Sequence, residues 1–286
     1  QARDPRLPAR GTSLIAIDTE PGSRKPNEDW VGATPDTIVV LDGLSAPEGV
    51  GGCHHGTPWY VARLGERLLI HASNRDLSLR DALAHAITEV ASLHADSCDL
   101  TDPGTPSSTV AVVRTRKSAL EALVLADSPV VIETPHGPEV LTDPRVEDVV
   151  AKEREAALTA GPGEKTQRLA ELVRAQRAVR NTPNGYWIAQ ATADAAAHAI
   201  TKDWPVRDVA RATVMTDGAS CLVDTYQLAS WGDLLTLLST QGPRGVINRV
   251  REAEATDPDG RRWPRYKASD DIAIAYWDTI TCPLPD

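Results

Sequence analysis

The stretch Thr37-Ile38-Val39-Val40-Leu41-Asp42-Gly43 constrains this chain more than any other. Its unbroken run of β-branched and leucine side chains predicts a fully buried strand, and the run leads straight into a carboxylate and a glycine. Such a strand belongs inside a layered β structure, and it carries a charge to the rim of the core. An isolated Asp-Gly is ordinary hairpin chemistry. Here the arrangement recurs: the apolar run 211–216 ends in Asp217-Gly218, Ser269-Asp270-Asp271 opens the run 272–277, and Asn27-Glu28-Asp29 precedes Trp30-Val31. Carboxylates gathered in this way repel one another and stay ionised together only with cations between them. The pattern predicts a metal centre.

Within 286 residues, 30 basic and 40 acidic side chains give a net charge of −10, which disfavours nucleic acid or an anionic membrane as the main partner. One domain over residues 12–286 is expected, after a loose Pro- and Arg-containing arm at 1–11. No apolar run approaches the roughly 20 residues of a membrane span, and no signal peptide is visible. Cys53, Cys98, Cys221 and Cys282 show no paired spacing, so a reduced, cytoplasmic setting is the expectation.

In chain order, residues 12–18 read as a first strand, and a turn-rich loop then leads to Glu28. Arg24 lies in that loop, where a planar guanidinium beside an acidic metal site suits a phosphate, although an isolated arginine is ordinarily a solvated one. Residues 44–56 form a glycine-rich loop. Its Cys53-His54-His55 invites a zinc reading, but structural zinc needs four ligands and no matching pair lies nearby in sequence; the loop is expected to line the mouth of the site. A helix capped by Thr57 is predicted next, then a second helix from Ser78, with His85 and His94 as packing or surface histidines.

Strands at 108–113 and 119–126 read as an antiparallel pair, followed by a short strand at 130–133. Residues 141–181 form a helical insertion of two helices, with Arg174, Arg177 and Arg180 on one side as either a solvated face or a landing for an acidic partner. A strand within 181–190, a helix over 191–200, and helices near 226–239 and 244–255 complete the pattern.

Taken together, Arg24…Glu28-Asp29, Leu41-Asp42-Gly43, Ser107-Ser108-Thr109, Ala126-Asp127-Ser128, Thr216-Asp217-Gly218-Ala219 and Ser269-Asp270-Asp271 resemble, in order and over residues 12–278, the metal-dependent type-2C (PPM-type) protein serine/threonine phosphatases, in a bacterial-like form. The resemblance implies an α+β fold, a four-layer α-β-β-α sandwich of two antiparallel sheets flanked by helices. It implies two Mg²⁺ or Mn²⁺ ions: Asp42 bridging them, Glu28 and the Gly43 carbonyl serving one, Asp217 and Asp270 the other. Asp127 with Asp217 would hold a weaker third ion, and Arg24 would bind the substrate phosphate. All-oxygen ligands suit these hard cations.

The implied activity is hydrolysis of phosphomonoesters by a metal-activated water, with phosphoserine or phosphothreonine of proteins as substrate. A small phosphorylated metabolite and an inactive, partner-binding module are the alternatives. The departures from the family pattern are local. Leu44 stands where many members carry a histidine after Asp-Gly, leaving His54 and His55 as weak candidates for a general acid. Pro129 follows Asp127-Ser128, and Asp271 replaces the usual asparagine, either to strengthen metal binding or to face solvent. The insertion at about 141–181 falls where members place a variable flap.

Overall fold

The computed structural model describes residues 14–44, 51–161 and 163–279. The expected arm at 1–11 lies outside them. Ten strands form two antiparallel five-stranded sheets. They are β1 (Leu14–Glu20), β2 (Asp29–Thr34), β3 (Thr37–Asp42), β4 (Val110–Arg116), β5 (Ala119–Leu125), β6 (Val130–Thr134), β7 (Gly137–Leu141), β8 (Ile200–Pro205), β9 (Arg211–Met215) and β10 (Ile272–Asp278). One sheet runs β2-β3-β4-β5-β8 and the other β1-β10-β9-β6-β7. The helices are α1 (Gly56–Ser73), α2 (Leu79–His94), α3 (Arg145–Val149), α4 (Ala151–Thr159), α5 (Lys165–Val179), the single turn α6 (Asp217–Ser220) and α7 (Trp231–Thr256).

The apolar run of β3 has its explanation in the layering. Ile38 and Val40 pack between the sheets, against Val113, Val124, Val214 and Ala275. Val39 and Leu41 point the other way, onto Leu64, Leu68, Leu83 and Ile87 of α1 and α2. With helices on its far side, the strand has no solvent face, so hydrophobic and polar residues do not alternate along it. The second sheet repeats the device: Val131, Met215, Ile274 and Tyr276 meet Leu234, Leu238, Val246 and Val250 of α7. The layers are therefore helix, sheet, sheet, helix, as the resemblance implied.

Several local expectations need correction. Thr57 is not a cap; His55 precedes the first turn of α1, and the Thr57 hydroxyl donates to the Leu44 carbonyl at 3.1 Å. Ser78 does cap α2, accepting from the Asp81 amide at 3.1 Å. No strand forms within 181–190; Ala189 makes only an isolated bridge to Ser108. Residues 191–200 hold a short 3-10 turn, Ala193–His198, and β8 begins at Ile200. The two helices expected near 226–239 and 244–255 are one element, kinked where Gly242 takes a φ of 68° ahead of Pro243.

Arg114, fully buried in β4, ties the α1–α2 side to the sheet. It ion-pairs with Glu121 at 2.7 Å and donates to the carbonyls of Ala72 (2.8 Å), Asn74 (3.1 Å) and Leu77 (2.7 Å).

Candidate metal centre

Strand pairing assembles the acidic centre. In the β2–β3 ladder, Asp29 lies directly opposite Asp42, so the two carboxylates arrive at the same end of one sheet. The antiparallel β9–β10 pair of the other sheet brings Asp217 and Asp270 to the facing end, Met215 lying opposite Ile274. Backbone locks hold both ends. The Gly43 amide donates to the Glu28 carbonyl at 3.0 Å, and the Thr216 hydroxyl both donates to the Ala273 carbonyl (3.3 Å) and accepts its amide (3.0 Å). Two glycines are demanded by close approach. A Cβ on Gly43 would lie 2.3 Å from the Glu28 carbonyl oxygen, and one on Gly218 would lie 2.0 Å from that of Asp271.

The Ser-Ser-Thr and Ala-Asp-Ser motifs act beneath Asp42. The Asp42 amide donates to Thr109 Oγ1 at 3.1 Å, and Thr109 Oγ1 meets Ser128 Oγ at 2.6 Å. Ala126 takes a left-handed φ of 68°, and this turn sets Asp127 beside the other acids. Such a backbone is strained for alanine.

Electrostatics show how tightly the acids are gathered. Burial raises the pKa of Asp42 well above the usual carboxylate range, and the charges of Asp217, Asp29, Asp270 and Asp127 push it further. Asp29 rises for the same reason, burial first and then Asp217, Asp270 and Asp271, with the Thr216 hydroxyl opposing. Asp217 is pushed up to about 6 by burial and by Asp270, against a stabilising contact with Asp42; Asp127 is pushed up to about 7, by burial and then by Asp217. The surroundings are dense, yet Asp217 is itself exposed. Among the described residues, the mouth of the centre is the side on which Asp217 is exposed.

Of the residues singled out from sequence, Asp42, Asp127, Asp217 and Asp270 meet here, with Glu28 and Gly43 joined to one another by their backbones. Arg24 is exposed on the adjoining loop, and no hydrogen bond or ion pair occupies its guanidinium among the described residues. Asp271 is half-buried beside the cluster. Its carboxylate accepts the amides of Gly22 and Glu28, both at 2.7 Å, and so fixes the loop that carries Arg24. His54 and His55 turn their Nδ1 atoms toward thiols, within 3.6 Å of Cys98 and 3.5 Å of Cys53 respectively.

Two residues of the acidic cluster escaped the sequence reading. Asp29 is buried and its Oδ2 has no hydrogen-bond partner; only the strand register reveals that it opposes Asp42. Lys267 places its ammonium 2.7 Å from Asp270 Oδ1. Partial burial works against its charge, but Asp270, Asp42 and Asp217 prevail and raise its pKa. The insertion stands at the same mouth: Glu147 of α3 and Arg154 of α4 both act electrostatically on Asp127, and Lys165 of α5 donates to the Arg265 carbonyl at 2.7 Å. Its arginine side is partly occupied within the chain, Arg180 donating to Tyr186 Oη and to the Pro103 carbonyl.

No family model matches the chain, and no curated protein matches it. Solved structures do. The Mycobacterium tuberculosis serine/threonine phosphatase PstP is similar over 93% of this chain and 98% of its own, with a TM-score of 0.56 at 15% identity. Its catalytic domain in complex with two manganese ions gives 0.55 at 16%, covering 93% of this chain and 97% of that one. The PPM Ser-Thr phosphatase MsPP from Mycobacterium smegmatis, in complex with cacodylate, gives 0.53 at 19%, covering 94% and 99%. At these identities the likeness establishes the fold.

Proposed function

We propose that this chain is a metal-dependent phosphomonoester hydrolase acting on phosphoserine or phosphothreonine of proteins. The observation that carries the reading is the convergence of Asp29, Asp42, Asp217 and Asp270 from two facing sheets, where burial and mutual repulsion raise the pKa values of Asp29, Asp42 and Asp217. Uncompensated carboxylates in such a place weaken the fold, which a purely structural role would not require. The donor set fits hard divalent cations: every candidate is oxygen, and Asp29 Oδ2 is buried without a partner. Two manganese ions in a structural neighbour add support.

Asp42 would bridge two Mg²⁺ or Mn²⁺ ions, Glu28 and the Gly43 carbonyl completing one side and Asp217 with Asp270 the other. Asp127 with Asp217 would serve a weaker third. Bound there, the cations would polarise the phosphoryl oxygens and lower the pKa of a water nucleophile. Arg24 would hold the phosphate through its paired N–H groups, on a loop that Asp271 keeps in position. Lys267, paired with Asp270, would offset part of the cluster's charge before a cation arrives. The exposed Arg24 and Asp217 flank an open mouth among the described residues, which suits a phosphorylated side chain on a protein better than an enclosed metabolite.

Hydrolysis of p-nitrophenyl phosphate and of a phosphothreonine peptide, with Mn²⁺ and with EDTA, tests the reading. Arg24→Ala is expected to lower kcat/KM on both substrates by roughly 10- to 100-fold, about 1.4–2.7 kcal/mol, with Tm unchanged because the side chain is exposed. An unchanged kcat/KM would remove Arg24 from the phosphate site.

The raised carboxylates also set a pH dependence. Asp217, at about 6, and Asp127, at about 7, bind protons more readily in the folded chain than at their ordinary value of 3.8. The stability this confers on the cation-free protein is fully present below the ordinary value and is lost as pH rises through the folded pKa values. In EDTA, Tm is therefore expected to fall between about pH 5 and about pH 8, and Mn²⁺ to raise it far more at the higher pH. Thermal melts at both pH values check this; a Mn²⁺ shift larger at the lower pH would contradict it.

A further inference from the structure

A second cluster of ligand-type side chains lies outside the acidic centre. Cys53 and His55, at the end of the loop that leaves Gly43, meet His94 and Cys98 at the C-terminal end of α2. One ligand atom from each of the four lies within 4.8 Å of the others. Cys53 Sγ is 3.3 Å from His94 Nδ1 and 3.5 Å from His55 Nδ1, and Cys98 Sγ is 3.4 Å from His55 Nδ1. We propose that Cys53, His55, His94 and Cys98 form a tetrahedral Zn²⁺ site that clips the loop following Gly43 to the end of α2.

Three observations support it. Zn–S bonds of about 2.3 Å and Zn–N bonds of about 2.0–2.1 Å, at tetrahedral angles, separate sulfur from nitrogen by about 3.6 Å, close to the distances already present. The backbone is locked around the cluster. The Asp99 amide donates to the Gly52 carbonyl at 2.7 Å, joining the two ligand-bearing segments, and the Cys98 amide donates to the His94 carbonyl at 2.9 Å, which puts both residues on one turn. The imidazoles are held as well: His55 stacks on Trp59 with ring centroids 4.3 Å apart, and His94 is buried with its centroid 5.0 Å from the same indole.

The donor set selects the metal. Two thiolates and two imidazoles favour zinc over Mg²⁺ or Mn²⁺, and four protein ligands close the coordination shell, as in a structural site. Binding releases the two thiol protons, so that one Zn²⁺, two thiolates and two neutral imidazoles sum to zero charge. Sequence spacing alone denies Cys53-His54-His55 a matching pair and makes His94 a packing or surface histidine. The pair is His94-x3-Cys98, on a different element, and folding brings it across. His54, whose Nδ1 is 3.6 Å from Cys98 Sγ, flanks the set and is the natural control.

The test is zinc content, with no reference to phosphatase activity. Protein purified under reducing conditions and dialysed against zinc is expected to retain one zinc per chain. Cobalt exchanged into the wild-type chain should show the intense visible bands of a tetrahedral ion and thiolate-to-cobalt charge transfer in the near ultraviolet. Cys53→Ser and Cys98→Ser should lose the zinc, while His54→Ala and Asp42→Asn retain it. The Asp42→Asn result separates this site from the acidic centre, and the cobalt spectrum needs no variant to fold. A wild-type chain that takes up no zinc with its thiols reduced, an octahedral cobalt spectrum without charge transfer, or a Cys53–Cys98 disulfide in the native protein would each overturn the proposal.

Discussion

Asp42→Asn is expected to lower phosphatase activity by roughly 10³-fold or more, about 4 kcal/mol of transition-state stabilisation, because the carboxylate that would hold the proposed cations becomes a neutral amide. The same substitution is expected to raise the Tm of the cation-free protein by a few degrees. Asp42 sits among Asp29, Asp127, Asp217 and Asp270, all of which push its pKa upward, so removing its charge relieves repulsion that the fold otherwise bears. The two effects have opposite signs and one cause. Activity assays with saturating Mn²⁺ and thermal melts in EDTA read them separately. A variant that loses activity and also melts earlier in EDTA would mean that Asp42 serves packing more than metal binding.

Arg114→Ala is expected to cost about 3–5 kcal/mol of folding stability, the usual consequence of deleting one partner of a buried charged network. Arg114 has no solvent exposure, and its guanidinium serves Glu121 and three carbonyls around the α1–α2 connection. Alanine would leave those carbonyls buried without donors and Glu121 with Arg116 alone, at 3.3 Å. Denaturant unfolding should show the midpoint moving with little change in slope. Arg114→Lys should recover only part of the loss, since one ammonium cannot reach all four acceptors. A loss below about 1 kcal/mol for the alanine variant would contradict this account of how α1 and α2 are held on the sheet.

How much was legible in the sequence follows from where each residue sits. Strands β3, β4, β9 and β10 announce themselves because the layers on both sides bury most of their length, leaving polar residues chiefly near their ends. Strands β7 and β8 lie at the two sheet edges. Their sequences, GPEVL and ITKDWP, carry a proline and polar residues that an edge tolerates, so they read as loop or helix. The carboxylates at strand ends were legible as a group because apolar runs point to them. Asp29 was not assigned, since its place opposite Asp42 depends on strand register, a nonlocal property. The meaning of Asp271 likewise emerges only when the Gly22 and Glu28 amides are seen to reach it. The Cys-His cluster draws its ligands from a loop and a helix end far apart in sequence. Its one local signal was a histidine and a cysteine four residues apart at the end of α2, a spacing that sets two ligands on one helical turn.

The two clusters differ in the metal chemistry they suit, oxygen donors in one and sulfur and nitrogen in the other, and the fold links them through the segment between Gly43 and α1. Leu44 is anchored there at both ends, its amide donating to the Ser107 carbonyl at 3.0 Å and its carbonyl accepting from Thr57. A clip at Cys53 and His55 would hold the end of that segment that enters α1.

The most direct test of the central claim is a calorimetric titration of Mn²⁺ into the EDTA-stripped protein at a pH above the folded pKa values, beside Asp42→Asn. Two Mn²⁺ ions are expected to bind per chain, with proton release because the raised carboxylates must ionise, and this binding is expected to be lost in the variant. A wild-type chain that binds no Mn²⁺, or a variant that binds it equally well, would contradict the assignment of these carboxylates to a catalytic metal centre.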